Sequence, residues 1–349
     1  MKAIRFHEHG GPDVLRYEDA PDPRARPGRA IVRVRACALN HLDLWERRGI
    51  ERVKIPLPHI SGSDVAGEVI DADGAVTAGT RVMLQPGLRC GACAACRAGR
   101  DNECVKYDVL GFLSDGGYAE LVSVPVDNLI PLPDRIDFIA AAAFPLTFLT
   151  AWHMLVTRAG VREGETVLVL AGGSGVGQAA IQIAHVFGAR VFATSGPDKT
   201  DRTRALGAEA VIDHYTGDIV REVRALTGGR GVDIVVEHVG EATWERSVRA
   251  LASGGRLVTC GATTGPRGAI DLRHLFARQL SLLGSYMGTF ADLRAVAALF
   301  FDGRIAPVID SVFPLAHAAD AQRRLEDRQQ FGKIVLEISS PARESRPQG

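Results

Sequence analysis

The chain has 349 residues, which is enough for two domains with substantial cores. Lysine and arginine together number 41, as do aspartate and glutamate, so the formal net charge is zero and neither nucleic acid nor an anionic membrane is expected as the main partner. No apolar run reaches the ~18 residues that span a bilayer, and residues 1–6 have the pattern of a first strand and not of a signal peptide, so we expect a cytoplasmic protein.

The first third of the chain has the pattern of short strands separated by glycine and proline. Residues 30–36 alternate apolar and charged side chains, as in a half-buried strand, and residues 65–70 and 80–84 are further strands. From about residue 150 strands and helices alternate, which indicates a doubly wound parallel sheet. The expected strands of this part are 166–170, 190–194, 210–212, 232–237 and 256–260, and the expected helices are 176–187, 199–206, 219–226 and 243–251.

These patterns predict an α/β protein of two domains. Residues 1–148 and 286–338 are expected to form a barrel-like β domain that ends on a strand at 333–338. Residues 149–285 are expected to form the dinucleotide-binding domain inserted within it. The polar residues 339–349 are expected to be a disordered tail.

Four of the six cysteines lie in one glycine- and alanine-rich loop, residues 86–104. Cys90, Cys93, Cys96 and Cys104 have the spacing C-x2-C-x2-C-x7-C. Four thiolates at this spacing can close a tetrahedral shell around Zn²⁺ and leave no open position, so such a metal supports structure and does not activate water. Disulfides and an iron–sulfur cluster are the alternatives. We favour one structural zinc, because disulfides need an oxidising compartment and the sequence has no second cluster motif.

A glycine-rich turn between a buried strand and a helix predicts a dinucleotide site. The pattern G-x-G-x-x-G begins at Gly172 and ends at Gly177, with Ser174 in place of the middle glycine. Small residues let the backbone approach a pyrophosphate, which then lies at the helix N-terminus. The residues expected in this cradle are Gly172, Gly173, Ser174, Gly175 and Val176.

The end of the second parallel strand bears on the choice of nucleotide. An acidic residue near this position usually binds the ribose 2′-hydroxyl of NAD, but the chain has Thr194 and Ser195 there, with Lys199 close behind. Because no carboxylate stands there to repel a 2′-phosphate, NADP(H) is the expected cofactor. Asp198 is interpreted as the cap of the helix that follows.

The motifs of this chain resemble those of the medium-chain dehydrogenase/reductase family, which includes zinc alcohol dehydrogenases and quinone reductases. Besides the cysteine loop, they are Gly62-x-Asp64-x-x-Gly67-x-Val69, Gly79-x-Arg81-Val82, Gly116-Gly-Tyr-Ala-Glu120, Thr150-Ala-Trp152 and Gly332-Lys-Ile-Val-Leu336. The resemblance covers residues 1 to about 338. It implies a GroES-like catalytic domain, a Rossmann domain and hydride transfer with a nicotinamide cofactor.

The same resemblance indicates what this chain lacks. Zinc alcohol dehydrogenases hold a second, catalytic zinc on Cys, His and Cys, and the matching positions here are Asn40, Ser63 and Leu146. The proton-relay positions are Leu42 and Trp45. Without a Lewis acid and a relay an unactivated alcohol is hard to oxidise, whereas hydride can still add to an electron-poor carbon.

Three functions follow from this comparison. The leading interpretation is an NADPH-dependent reductase of enones, enoyl thioesters or quinones that works without a catalytic zinc. An alcohol, aldehyde or imine oxidoreductase is the first alternative. A non-catalytic NADPH-binding protein, acting as a sensor or in a structural role, is the second.

Further site residues come from the resemblance. Asn40 is interpreted as a donor to a substrate oxygen or to the nicotinamide ribose, or else as a turn-stabilising residue, and Asp64 as a cleft residue or a structural one. The positions expected to contact the cofactor are His41 and Lys333 at its phosphates, and Thr150, Gly261, Ser285, Tyr286 and Met287 at its nicotinamide.

A few other expectations concern buried polar groups and assembly. Asp43 is interpreted as structural, paired with Arg47 or Arg48, and Tyr107 and Tyr118 are candidate proton donors. Histidines such as His153 form no i,i+4 pair and show no metal spacing. Residues 255–288 are expected to supply an edge strand for subunit pairing, so a homodimer is expected, with a homotetramer as the alternative. The expected substrate is a small molecule.

Overall fold

A computed structural model of the chain describes residues 1–74 and 76–338. The predicted tail at 339–349 lies outside these residues. The described chain contains one six-stranded and one seven-stranded sheet, together with two small sheets of two strands each. In this part of the chain no helix combines the length and the apolar character needed to cross a membrane.

The amino-terminal part is mainly β-structure. Its strands are β1 (Lys2–Arg5), β2 (Arg16–Asp19), β3 (Arg29–Ala38), β4 (Asp64–Ala72), β5 (Arg81–Leu84), β6 (Gly87–Leu88), β7 (Asp108–Val109), β8 (Leu121–Pro125) and β9 (Leu129–Pro131). Its helices are α1 (His41–Arg48), α2 (Ala94–Arg97), α3 (Phe138–Ala142) and α4 (Pro145–Trp152). A π-helix at His153–Arg158 directly continues α4.

The middle of the chain forms the parallel sheet. Its strands are β10 (Thr166–Val169), β11 (Arg190–Ser195), β12 (Ala210–Asp213), β13 (Val232–Glu237), β14 (Leu251–Thr259) and β15 (Ser281–Gly284). Its helices are α5 (Gly175–Val186), α6 (Thr200–Ala205), α7 (Ile219–Leu226), α8 (Trp244–Ala250) and α9 (Leu272–Ala277). The strand order β12-β11-β10-β13-β14-β15 is that of a Rossmann fold, whose ligands bind beyond the carboxyl ends of the strands.

The carboxyl-terminal part returns to the first sheet. It consists of α10 (Phe290–Phe301), β16 (Ile309–Pro314), α11 (Ala318–Glu326) and β17 (Lys333–Glu337). The seven-stranded sheet has the order β16-β17-β3-β4-β5-β9, and β8 also pairs with β3. The predicted fold class is confirmed, since a parallel sheet is inserted between the main part and the last strands of a β domain.

Burial explains why the two sheets differ in their sequence patterns. All four residues of β10 are buried, because helices cover both faces of a parallel sheet. The first eight residues of β3 alternate between half-buried and buried positions. One apolar cluster joins the two parts, since it contains Ala36 and Met83 of the first sheet together with Ile181 of α5.

Two local predictions differ from the structure. Asp198 does not cap the helix after the second parallel strand, because it lies inside a short 3-10 turn, Pro197–Lys199, and α6 starts at Thr200. The strand expected at 256–260 begins five residues earlier, at Leu251, directly after the preceding helix.

Candidate functional site

The glycine-rich turn is held tightly against the second parallel strand. The amide of Ala171 donates to the Thr194 hydroxyl at 2.9 Å, and the amide of Gly172 donates to the Thr194 carbonyl at 2.7 Å. A Cβ on Gly172 would lie 2.7 Å from Thr203 and 3.0 Å from Ile181. Only glycine therefore fits at this position without a shift of its neighbours.

The turn leaves free donors at the start of α5. Ser174 caps this helix, and its hydroxyl accepts from the amide of Gly177 at 2.9 Å. Within the described chain the amides of Gly175 and Val176 donate to no other group. Two free N–H groups at the positive end of a twelve-residue helix form a cradle for an anion, so the structure fits the predicted pyrophosphate site.

The residues expected at a 2′-phosphate have other contacts. Thr194 is buried and its hydroxyl holds the glycine turn, as described above. Ser195 is also buried and donates to the carbonyl of Gly196 at 3.0 Å. Lys199 donates to the carbonyl of Arg328 at 2.8 Å. The hydroxyls of Thr194 and Ser195 therefore stabilise the local backbone. Of the three residues, Lys199 is the one that can approach a phosphate.

Asn40, Asp64 and Lys333 form a buried polar cluster at the ends of strands of the seven-stranded sheet, with the Lys333 side chain beside Gly175. The Lys333 ammonium donates to the Leu39 carbonyl at 2.7 Å, to Asn40 Oδ1 at 2.7 Å and to Asp64 Oδ2 at 2.9 Å. Asn40 Nδ2 donates to Asp64 Oδ2 at 3.0 Å. Lys333 was expected at the cofactor phosphates, but its three protons are used here and it is only 2% exposed.

The three positions that match catalytic zinc ligands come together around this cluster. The backbone amide of Leu146 donates to Asp64 Oδ1 at 2.7 Å, and Asp64 follows Ser63 in the chain. Ser63 is fully buried, and its hydroxyl has no hydrogen-bond partner in the described chain. Ser63 and Leu146 therefore adjoin the cluster through Asp64, whereas the resemblance placed them only by sequence.

Helix α1 connects this cluster to a second buried group of acids. Asp43 Oδ2 accepts from the amide of Asn40 at 2.8 Å and from the Tyr118 hydroxyl at 2.6 Å. Burial raises the pKa of Asp43 to about 6 and raises the pKa of Glu46 well above its usual value. Asp43 is thus structural, as predicted, but its partner is Tyr118, and this fully buried tyrosine does not face the cleft as a proton donor would.

The predicted arginine partners of Asp43 bind elsewhere. Arg47 donates to Gln322 and to the carbonyl of Gly10, and it forms a close ion pair with Glu326. Arg48 also pairs with Glu326, at 2.8 Å. These contacts attach α1 to α11, which lies about 275 residues away in sequence, and no local pattern predicts them.

His41 is the first residue of α1 and is half-buried. Burial lowers the pKa of His41 to about 4, and the nearby basic groups His238, Arg328 and Lys333 add to this shift. The ring is therefore neutral at pH 7 and lies in an electropositive region. This environment suits a phosphate ligand, and the assignment of His41 to the cofactor phosphates stays a prediction.

An open cleft of about 900 Å³ runs beyond the carboxyl ends of β14 and β15. Gly261, Ser285 and Tyr286, three of the residues predicted to contact the nicotinamide, line it. Met287 is buried with a φ of 51° and does not line this cleft. Thr150 is buried, and its hydroxyl has no hydrogen-bond partner among residues 1–74 and 76–338. Tyr107 is mostly buried, and burial raises its pKa, so it stays protonated.

The sequence missed a polar chain on the wall of this cleft. His153, which forms no i,i+4 pair and shows no metal spacing, hydrogen-bonds Asp292 through Nδ1 at 2.7 Å and Asn102 through Nε2 at 3.2 Å. Asn102 and His153 both line the cleft. The π-helix that begins at His153 is a feature often found at functional sites, but no sequence pattern predicts it.

The four predicted zinc ligands converge. The Sγ atoms of Cys90, Cys93, Cys96 and Cys104 all lie within 4.8 Å of one another. Around a tetrahedral zinc with Zn–S bonds of about 2.3 Å, the sulfur atoms would be about 3.8 Å apart. The amides of Cys90 and Lys106 donate to the Cys104 sulfur at 3.3 and 3.4 Å, as is suitable for a thiolate. The arrangement fits a closed four-thiolate metal site.

Comparisons with known proteins agree with this architecture. A model of the alcohol dehydrogenase GroES-like domain matches residues 26–134, and a model of the zinc-binding dehydrogenase matches residues 175–302. The quinone oxidoreductase of Pseudomonas aeruginosa is 34% identical to this chain over 96% of it and 99% of its own length. The chain belongs to the medium-chain dehydrogenase/reductase family.

Solved structures extend this result. The crystal structure of an NAD-dependent alcohol dehydrogenase is 46% identical, covers 97% of this chain and 100% of its own, and superposes with a TM-score of 0.94. Crotonyl-CoA carboxylase/reductase AntE in complex with NADP is 26% identical, covers 98% of this chain and 95% of its own, and has a TM-score of 0.92. This medium-chain dehydrogenase/reductase is an oxidoreductase with a GroES-like and a Rossmann part.

Proposed function

We propose that this chain transfers hydride from NADPH to an activated C=C bond or a quinone without a catalytic zinc. The observation that carries the proposal is the buried cluster of Asn40, Asp64 and Lys333. An amide, a hydroxyl and a leucine side chain stand where the zinc alcohol dehydrogenases of the family have three ligands. A lysine ammonium is hydrogen-bonded to two members of the cluster, and a cation there disfavours a second cation.

Asn40 is the residue proposed to act on the substrate. Lys333 bonds its Oδ1 and Asp64 bonds its Nδ2, so the orientation of the amide is fixed. Its second amide hydrogen has no acceptor in the described chain and can donate to a substrate carbonyl oxygen. Negative charge collects on this oxygen when a bound nicotinamide supplies hydride to the β-carbon, and a preorganised donor stabilises that charge.

The remaining residues bind and orient the cofactor. The free amides of Gly175 and Val176 are proposed to hold the pyrophosphate, with the neutral ring of His41 beside it. The absence of a carboxylate at Thr194 and Ser195, and the nearby Lys199, support NADPH over NADH. The complex of AntE with NADP is a relative that supports the same choice.

The cysteine loop is proposed to hold one structural zinc. Its four thiols provide a complete tetrahedral set, so the metal would support the loop and take no part in the reaction. Elemental analysis of protein purified without added metal should give about one zinc per chain. Two zinc ions per chain would contradict the proposal that the catalytic site is metal-free.

An NAD-dependent alcohol dehydrogenase is the second candidate. The 46% identity to a solved enzyme of that description favours it. The two candidates differ in cofactor, substrate and direction, so one panel separates them. NADPH and NADH oxidation would be followed with 2-cyclohexenone, crotonyl-CoA and 9,10-phenanthrenequinone, and NAD⁺ and NADP⁺ reduction with primary and secondary alcohols. Turnover of alcohols alone would overturn the first proposal.

A further inference from the structure

The crossover from the Rossmann sheet to α10 carries residues on the nicotinamide side of the cleft. Ser285 and Tyr286 follow the last parallel strand, and the amide of Ser285 donates to the Thr259 carbonyl at 2.8 Å. Both line the cleft. The chain then enters α10, which is capped by Thr289. Residues 285–289 are called the crossover segment. Its position therefore determines the shape of the cleft at the place where the sequence predicted contact with the nicotinamide.

The cysteine loop and the residues just after it, 89–107, touch residues 286–290 at three separate places. Asn102 Nδ2 donates to the Tyr286 carbonyl at 3.1 Å. Asp101 Oδ2 accepts from the amide of Phe290 at 3.0 Å, and the Arg89 guanidinium stands 4.0 Å above the Phe290 ring. The ring of Tyr107 meets that of Tyr286 edge to face at 5.8 Å. A loop that only completed its own metal site would not need these contacts.

Asn102 is held in turn by a buried chain of hydrogen bonds. Asp292 accepts from the amide of Thr289 at 3.0 Å and from the Thr157 hydroxyl at 2.7 Å, and it bonds His153 Nδ1 at 2.7 Å. A carboxylate at Nδ1 places the ring proton there and leaves Nε2 as an acceptor for the Asn102 amide. One amide group thus bridges His153 and the Tyr286 carbonyl, with each contact using one of its two hydrogens.

The geometry points to the cysteine loop as a positioning element for the nicotinamide end of the cleft, acting through Asn102, His153 and Asp292. This inference rests on the proposed function in one respect, because it assumes that residues 285–287 lie beside the nicotinamide of the bound cofactor. Asn102, His153 and Asp292 are positioning residues and act through Tyr286. They set the affinity for the nicotinamide half of the dinucleotide and leave the adenosine half untouched, because no residue of the glycine turn lines this cleft.

The test compares two ligands on one variant. Asn102→Ala is expected to weaken binding of the preferred dinucleotide, NADPH or NADH, about tenfold, because it removes both hydrogen bonds of the bridge. Binding of the matching fragment without nicotinamide, 2′,5′-ADP or ADP, should not change. Arg100→Ala is the matched control, because it removes only an exposed pair with Glu103 in the same loop. Titration calorimetry gives all these constants without turnover.

A double-mutant cycle tests whether His153 acts through Asn102. If both belong to one chain, the loss in dinucleotide affinity for Asn102→Ala combined with His153→Leu should be close to the larger single loss. Additive losses would overturn the inference, as would equal losses for dinucleotide and fragment, or no loss at all. Failure of the proposed function has a separate signature, since it would change the substrate panel and leave the ratio of the two affinities intact.

Discussion

Asn40 is the residue whose chemistry is most constrained by its neighbours. Its two polar atoms are bonded to Lys333 and Asp64, and only one donor hydrogen is left over. We predict that Asn40→Ala lowers kcat for enone or quinone reduction about 10²-fold, the size of effect seen when one oxyanion donor is removed. Steady-state kinetics and cofactor titration would separate this loss from a loss of cofactor binding.

Ser63→Ala supplies the control for Asn40. Ser63 occupies the same buried location, but its hydroxyl makes no hydrogen bond in the described chain, so we expect kcat within twofold of the parent. A similar loss in both variants would mean that the cluster responds to any change in packing. Asn40 would then have no specific part in stabilising charge.

His41 predicts a pH dependence of cofactor binding. Its pKa in the free protein is lowered to about 4 by burial and neighbouring positive charges. A pyrophosphate beside the ring would raise this pKa towards the ordinary ~6.5, so the complex would bind a proton that the free protein does not. Because the bound form then has the higher proton affinity, binding must tighten as pH falls from 7.5 to 5, by up to about thirtyfold if the pKa reaches that value.

The His41→Asn variant isolates this effect. The 2′-phosphate of NADP⁺ also titrates in this range, so the informative quantity is the ratio of parent to variant Kd at each pH. The prediction is a ratio that changes with pH. A constant ratio from pH 5 to pH 7.5 would show that His41 does not contact the phosphates.

At the scale of elements, strand β17 is tied to strand β4 by the buried pair of Lys333 and Asp64. Both side chains are almost fully excluded from water, so removing one leaves the other charge buried and unpaired. We predict that Lys333→Met lowers the free energy of unfolding by about 3 kcal/mol. Adding Asp64→Asn should recover most of this loss, and urea unfolding would measure both changes. An uncorrected loss in the double variant would contradict the ion-pair explanation.

The elements themselves were largely predictable, and their contacts were not. The apolar run at 166–170 and the glycine turn after it fixed β10 and the start of α5 through local patterns. The four cysteines converge as their spacing indicated. The Lys333–Asp64 pair joins residues 269 apart, and the Asp43–Tyr118 pair joins residues 75 apart, so periodicity carries no information about either.

The misplaced phosphate residues show the same limit at close range. Thr194 was correctly placed at the end of β11, but its hydroxyl points back to the turn and binds Ala171. Likewise Lys333 was correctly assigned to the last strand, but its ammonium was expected at the cofactor phosphates and instead donates to the Leu39 carbonyl. A strand pattern gives the face of a side chain, whereas its hydrogen-bond partner depends on which strand lies alongside.

At the scale of the whole molecule, the two parts depend on one another for the site. The amide of Gly332 in the carboxyl-terminal part donates to the carbonyl of Gly173 in the glycine turn at 2.8 Å. A Cβ on Gly175 would lie 2.8 Å from Thr147 and 3.2 Å from Lys333, so the turn is packed against the catalytic part. Substrate and cofactor groups can therefore be brought together only while both parts hold their relative position.

Subunit pairing is the last property that the fold predicts. Strand β15 is the outermost strand of the parallel sheet, and α9, directly before it, exposes Leu272 by 66% and Phe276 by 70%. A free strand edge beside exposed apolar side chains is a surface that two copies can share around a two-fold axis. We predict a dimer that Phe276→Asp converts to monomer, as measured by sedimentation velocity.

Strand β16 is an outer strand of the other sheet and exposes Val312, so Val312→Asp is the control and should stay dimeric. The opposite result, with Val312→Asp monomeric and Phe276→Asp dimeric, would move the interface to β16 and leave α9 without a partner.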